Sequence, residues 1–367
     1  CLVIPAFDET FEPLHQRLTS LASADVLVIL VVNAPEDANP RAIEDTKVLL
    51  NTLHTQDYDH VIVVDRASNG LRLNPKQGVG LARKIGSDLA LALRFAGRLR
   101  SDWLLQSDAD VVFPAGYTDL LHQNPVHNSA GARIFPPSHY SSDPTLHYAG
   151  QLYDQHMSYY VAGLAMAGSR YAHHSLGSTI AVHAKSYAAV RGYPKRSAGE
   201  DFYLLNKVRK LAPIEPLRGP ILSIEARTSA RVPFGTGPAL RKIVESLATD
   251  PSGGSYLSYH PACFSLLGRA LSALNQWADD PRQAIHFDVS RRLSALGFDG
   301  FAGGLSKQQI SPKQRHRCVH DWFDGLKTLQ FIHACQETHA DQSLTRTLAN
   351  LESAFRSKVF EFKTNSG

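Results

Sequence analysis

From Leu2 to Asp110 the chain alternates short runs of apolar, largely β-branched residues with stretches of helical period, and that alternation leaves it few folds to adopt. Leu2 to Pro5, Val26 to Val32, Val61 to Val64 and Trp103 to Leu105 read as strands. Phe11 to Leu21, Arg41 to Leu53 and Val79 to Ala96 read as helices, the last with Ile85, Leu89 and Leu93 on one face. Uniformly apolar strands separated by helices of this length predict a mostly parallel sheet covered on both faces. Ligands of such sheets bind beyond the carboxyl ends of the strands, so the residues just after each strand are the first candidates for function.

Further along, Leu152 to Ala167 reads as a helix carrying Tyr153, Tyr159 and Tyr160, Gly177 to His183 as a strand, and Glu200 to Leu211 as a helix. After the Gly/Pro-rich stretch from Pro233 to Pro238 the strand signals fade. Leu240 to Ala248, Ala262 to Ala278, Pro281 to Leu296, Lys313 to Glu337 and Leu344 to Phe360 then carry helical spacing. Within the fourth of these, Val319, Trp322, Phe323, Leu326, Leu329 and Ile332 make one amphipathic stripe. The expected organisation is an α/β domain over residues 1–238 and a mainly helical lobe over 239–367.

Composition narrows the classes further. With 43% hydrophobic and 20% charged residues, the chain can bury a sizeable core. Its net charge is only +4, and the densest basic stretch, Lys313 to Arg317, reads as a solvated helix face, which argues against nucleic acid as a partner. The four cysteines are far apart with no C-x-x-C pair, the usage of a reducing compartment. The longest apolar run, Val26 to Val32, is too short for a transmembrane segment. Together these give a cytoplasmic location as the expectation.

Chemistry concentrates in two acidic pairs. Asp108 and Asp110 follow the Trp103 strand; in extended backbone, residues two apart face one side, so both carboxylates can meet one cation. Hard oxygens with room for diphosphate oxygens suit Mg²⁺ or Mn²⁺, and a leaving diphosphate needs that positive charge. Glu200 and Asp201 open a predicted helix and carry two readings. Ser197 with Glu200 fits a capping box, while Asp201 first, or Glu200, suits a general base that accepts the proton of an attacking hydroxyl. The stretch from Arg227 to Gly237 reads either as a mobile flap, with Arg231 meeting the diphosphate and glycines as the hinge, or as a plain linker. Tyr171, His173 and His174 read either as a border to the acceptor or, as adjacent histidines more often do, as loop residues. The pairs His316/His320 and Cys335/His339 have zinc-like i, i+4 spacing, but on one continuous helix they stand about 22 Å apart and cannot share an ion.

The pieces occur in a fixed order: Ile4 to Glu9, Gly80 to Gly86, Asp108 to Asp110, Gly177 to Val182, Arg191 to Pro194, and Gly199 to Asp201. This succession resembles the family 2 glycosyltransferases of the GT-A fold, over roughly residues 1–235. The resemblance implies a Rossmann-like GT-A sheet and a nucleotide-diphospho-sugar donor such as a UDP- or GDP-sugar. It implies Pro5, Phe7 and Glu9 near the base, Arg83 near nucleotide or phosphate, Asp108 and Asp110 serving ribose and metal, and Asp201 as catalytic base with inversion at the sugar. The chain departs from the pattern where the second strand ends in Asn33, a position at which the family usually offers an aspartate to the base. No histidine lies between His183 and His260 to act as a late metal ligand. A nucleotidyltransferase is the alternative enzyme class, but it would need a Gly-rich phosphate loop where Pro5 to Glu9 stands. A catalytically inactive sugar-nucleotide binder is the other alternative, and intact Asp108, Asp110 and Asp201 argue against it. The acceptor is expected to be small or a saccharide. Lys195 and Arg196, beside Asp201, suit an acceptor carboxylate or phosphate, and Tyr153, His156, Tyr159 and Tyr160 suit its flat faces; the alternative reading is that the tyrosines are core and Lys195 with Arg196 a solvated turn.

Overall fold

The computed structural model describes residues 1–349 apart from 23, 120, 122–128, 220 and 229–234. In chain order the elements are β1 (Leu2–Ala6), α1 (Phe11–Ser20), β2 (Val28–Asn33), α2 (Pro40–His54), β3 (Val61–Arg66), α3 (Gly78–Phe95), β4 (Trp103–Gln106), β5 (Val111–Val112), β6 (Ala132–Ile134), β7 (Pro137–Tyr140) and α4 (Pro144–Met166). There follow β8 (Ile180–His183), α5 (Ala184–Ala189), α6 (Glu200–Leu211), β9 (Ile214–Pro216), β10 (Leu222–Glu225), α7 (Thr236–Thr249), β11 (Leu257–Ser258) and α8 (Pro261–Asp279). The last are α9 (Phe287–Ala295), α10 (Phe298–Ser306), α11 (Pro312–Trp322), α12 (Gly325–Gln336) and β12 (Gln342–Ser343).

Seven strands form the main sheet in the order β3-β2-β1-β4-β8-β6-β9. The pairs β2–β3, β1–β2, β1–β4 and β6–β9 are parallel, whereas β8 runs antiparallel to both β4 and β6. Every residue of β1 and β2 is buried, as continuous apolar strands require. Alternation along β1 sends Leu2, Ile4 and Ala6 to one face, into a cluster with Leu14 and Leu18 of α1 and Ile43, Leu49, Leu50 and Leu53 of α2. Val3 faces the other way, into a cluster with Ala82 and Ala90 of α3 and Leu204, Leu205 and Val208 of α6. The fold is therefore the expected mostly parallel α/β sheet with helices on both faces, followed by a mainly helical C-terminal part.

A second, three-stranded sheet, β5-β10-β7, escapes the sequence reading. It pairs β10 antiparallel to β5 and parallel to β7, and so carries residues 222–225 alongside the turn that follows β4. Its importance is positional, because Arg227 emerges from its end.

By internal contacts the chain divides into two compact units, Cys1–Gln151 with Ser175–Lys242, and Leu152–His174 with the residues from Ile243 onward. In the second unit the expected long helix from Lys313 to Glu337 is two helices, α11 and α12. The apolar stripe runs through the join and hides it. Asp324 accepts the backbone N–H groups of Leu326 and Lys327 and so restarts a helix at Gly325, while Phe323 leaves helical geometry at φ −88°, ψ 67°. The 22 Å separation inferred from one continuous helix therefore does not apply. His316 is engaged instead with Asp279, at 2.7 Å. The helix expected from Pro281 starts only at Phe287, since Asp280 accepts the Arg282 N–H in a local turn that competes with helix. Beyond it, Gly297 at φ +89° sets off α10, whose glycines concealed it. Of the helix expected from Leu344, residues 344–349 are helical and the rest falls outside the described residues. Among the described residues no helix is long and apolar enough to cross a membrane, and all four cysteines are free.

Asp324→Ala removes the side-chain acceptor that starts α12 and is expected to lower stability by about 1–2 kcal/mol, with Asp324→Asn losing less. Urea unfolding of the two variants beside the wild type checks this.

Candidate active site

The carboxyl end of β4 and the start of α6 meet around one buried arginine. Arg83, on the sheet-facing side of α3, is 2% exposed. Its Nε donates to Glu200 Oε1 at 2.9 Å, its Nη1 to the carbonyl of Ser107 at 3.0 Å, and its Nη2 to Asp108 Oδ1 at 2.6 Å. A buried guanidinium is tolerable only with such full pairing, and its planar fork can serve three partners at once. Gly177 makes the arrangement possible: a Cβ there would stand 2.5 Å from Arg83 Nη2. The glycine ahead of β8 is thus a matter of clearance for a charged group.

β4 ends at Gln106, and 108–111 is a turn, closed by the Val111 N–H on the Asp108 carbonyl. The two carboxylates consequently do not continue a strand, and each meets a different arginine. Asp108 pairs with Arg83, and Asp110 Oδ2 receives Arg227 Nη2 at 2.6 Å. The turn's carbonyls are also fixed. Ser107 is held by Arg83, Ala109 by Arg17 Nη1 at 2.6 Å, and Asp110 by the backbone N–H of Glu225 at 3.0 Å. Arg17 completes its own pairing on Glu225, at 2.6 Å.

Asp110 Oδ1 is buried and accepts no hydrogen bond. Burial first, then the Asp108 charge, pushes the Asp110 carboxyl up to about 6, against the pull of Arg227. A buried carboxylate oxygen left open beside a second carboxylate is a donor set that fits a hard divalent cation. Among the described residues no three His, Cys, Asp or Glu side chains could hold a metal. Mg²⁺ and Mn²⁺ of the expected kind do not need three, since one or two carboxylates usually suffice when phosphates and water fill the other positions.

At α6 the structure replaces the capping box. Gly199 takes the N-cap in a left-handed conformation, φ +69°, with no side-chain cap, a geometry glycine adopts without a Cβ clash. Glu200, 5% exposed, turns inward to Arg83. Asp201 is left partly exposed, its Oδ1 accepting the Phe202 N–H at 2.7 Å. Burial and then the adjacent Glu200 charge raise the Asp201 carboxyl to about 7, although the Phe202 N–H and Arg83 pull it down.

Pro5 is buried within β1 and Phe7 is partly buried against the core on the α1 side. Asp8, at φ +56°, turns the chain after β1 and donates its N–H to Thr46. Glu9 then meets Arg227 through both oxygens, at 2.8 and 3.1 Å. Arg231 lies outside the described residues. Arg17 and Glu225 escaped the sequence reading, and Arg227 entered it only as the first residue of the flap stretch, with the charge assigned to Arg231. Lys195 and Arg196 are exposed, with the Arg196 guanidinium over the Tyr203 ring at 4.0 Å. Tyr153 and Tyr159 are buried residues of the second unit, where the Tyr159 hydroxyl donates to the Tyr259 carbonyl at 2.8 Å.

The sequence matches no family model and no curated protein. Among solved structures the chain is similar to S. aureus TarS 1–349 in complex with UDP-GlcNAc, at 12% identity over 92% of this chain and 91% of that one, with a TM-score of 0.43. It is similar also to GalNAc-T7 with UDP, GalNAc and Mn²⁺, at 11% identity over 61% and 43%, TM-score 0.39. A mycobacterial protein aligns at 14% identity over 71% and 78%, TM-score 0.35.

The raised Asp201 carboxyl gives a stability prediction with a definite sign. The native state holds this proton up to about pH 7, whereas the unfolded chain releases it near the ordinary value of about 4. Ionised Asp201 therefore costs the native state a penalty that grows between those values and is complete above them. Asp201→Asn should raise Tm relative to wild type by more at pH 8 than at pH 5. A margin that is equal at both, or larger at pH 5, counts against a proton-holding carboxyl at Asp201.

Proposed function

We propose that the chain is a glycosyltransferase that moves a sugar from a nucleotide-diphospho-sugar, a UDP- or GDP-sugar, to a hydroxyl acceptor with inversion. The observation that carries this reading is the buried Arg83 tie. It holds the Asp108–Asp110 turn and the Glu200–Asp201 helix start at one place, with an open carboxylate oxygen on one side and a carboxyl of near-neutral proton affinity on the other. A site for group transfer away from diphosphate needs these two halves, one to accept the leaving charge and one to take a proton.

In this reading Asp110, with Asp108 beside it, holds Mg²⁺ or Mn²⁺, which when bound offsets the charge of the departing diphosphate. Asp201 accepts the proton of the acceptor hydroxyl as its oxygen attacks the anomeric carbon. The bond from that carbon to the diphosphate oxygen breaks, and the electron pair leaves with the nucleoside diphosphate. One displacement of this kind inverts the sugar. Glu200 positions Asp201 through Arg83 and raises its basicity by proximity. Pro5 and Phe7 border the nucleotide, and the exposed Lys195 and Arg196 just ahead of α6 favour an anionic acceptor. The absence of a Gly-rich phosphate loop after β1 disfavours a nucleotidyltransferase. Residues 1–238 as the catalytic domain and 239–367 as a helical lobe complete the proposal, with Arg231 meeting the diphosphate.

Asp110→Asn is expected to abolish metal-dependent binding of UDP and GDP in calorimetric titrations with Mn²⁺ while far-UV circular dichroism is unchanged. Asp201→Asn is expected to keep donor affinity and lower turnover about a hundredfold or more. For the wild type, a base near 7 predicts that kcat/KM climbs as pH rises through about 7 and then levels. A screen of UDP- and GDP-sugar hydrolysis supplies the substrate for these measurements; retained metal-dependent binding by Asp110→Asn, or normal turnover by Asp201→Asn, would refute the corresponding role.

A further inference from the structure

Arg227 occupies an unusual place for an arginine beside a metal-binding carboxylate. Its Nη2 is shared by Asp110 Oδ2, at 2.6 Å, and Glu9 Oε1, at 3.1 Å, while its Nη1 meets Glu9 Oε2 at 2.8 Å. Two carboxylates from different strand ends thus converge on one nitrogen. The backbone leading to it is pinned: the Glu225 N–H bonds the Asp110 carbonyl, and the Ala226 N–H bonds the Tyr140 carbonyl at 2.7 Å. The Arg227 side chain remains a third exposed.

Resting on the metal assignment just proposed, we infer that Arg227 is a resident counter-cation that competes with the divalent ion for Asp110 and is released toward the donor's diphosphate when that ion binds. The physical ground is charge. A +1 guanidinium already hydrogen-bonded to Asp110 repels a +2 ion brought to the same carboxylate, so one must yield. Asp110 has only Oδ1 to offer while Arg227 holds Oδ2. Glu9 keeps the released guanidinium nearby through a bidentate pair, and a diphosphate presents the oxygens that a planar fork matches best. Metal and nucleotide binding are therefore coupled through Arg227. The ion alone must displace a satisfied guanidinium, whereas the ion with a nucleoside diphosphate gives that guanidinium a new anion.

Calorimetric titration of the whole chain with Mn²⁺ alone, with UDP alone, and with each in the presence of the other tests this. In the wild type, UDP should tighten Mn²⁺ binding, and Mn²⁺ should tighten UDP binding by the same factor. Arg227→Gln should bind Mn²⁺ alone about tenfold more tightly than wild type, bind UDP more weakly, and lose most of the coupling. Arg227→Lys keeps the charge and should stay near the wild-type Mn²⁺ affinity, which separates repulsion from shape and serves as the readout if the glutamine variant does not fold. Unchanged or weaker Mn²⁺ binding by Arg227→Gln, with Asp110→Asn still abolishing it, overturns the competition while leaving the metal assignment standing. Mn²⁺ binding that survives Asp110→Asn overturns the metal assignment and the competition together.

Discussion

The site depends on a positive charge placed where water cannot reach it. A guanidinium as buried as Arg83 would be untenable alone, so its surroundings must present acceptors at fixed positions: Glu200, the Ser107 carbonyl and Asp108. That requirement orders much of the rest. It demands a glycine at 177 for clearance and turns Glu200 inward. It leaves Asp201, one residue along, with a neighbouring negative charge that raises its proton affinity. The buried ion pair adds less to net stability than to geometry, because desolvation offsets most of its attraction. Its use is to fix two loops that no secondary structure joins directly.

Electrostatics then divides the labour between the two acidic pairs. Both Asp110 and Asp201 have raised carboxyls, and in both burial is the leading cause. Their partners differ. Asp110 faces Arg227 and carries an open oxygen, suited to a cation, whereas Asp201 has one backbone donor and partial exposure, suited to a proton. Similar side chains thus acquire different chemistry from their neighbours.

The first three strands and helices were legible because each is decided locally. A strand buried on both faces reads as an apolar run, and an amphipathic helix reads by its period. The Trp103 strand and the Glu200 helix came through for the same reason. What did not come through was set at a distance. Val111 and Val112 are too short a run to read as a strand, and only pairing with Ser223 and Ile224 makes them part of a sheet. The break at Asp324 was masked by a stripe of apolar residues that both helices use. Arg17 and Glu225 carry no pattern at all, since each is meaningful only through the other.

That distance has a consequence for how the protein comes to its native state. The contacts that build the site join residues 117 positions apart for Arg83 and Glu200, 208 for Arg17 and Glu225, and 218 for Arg227 and Glu9. Bringing such ends together exacts loop-closure entropy before any contact rewards it. The first unit, moreover, is laid down in two stretches, with 152–174 between them. During synthesis Arg83 emerges long before Glu200, and Arg17 and Glu9 long before Glu225 and Arg227. The β1 turn and α1 can form early, but the Arg17–Glu225 and Arg227–Glu9 pairs close only when the second stretch has joined the sheet.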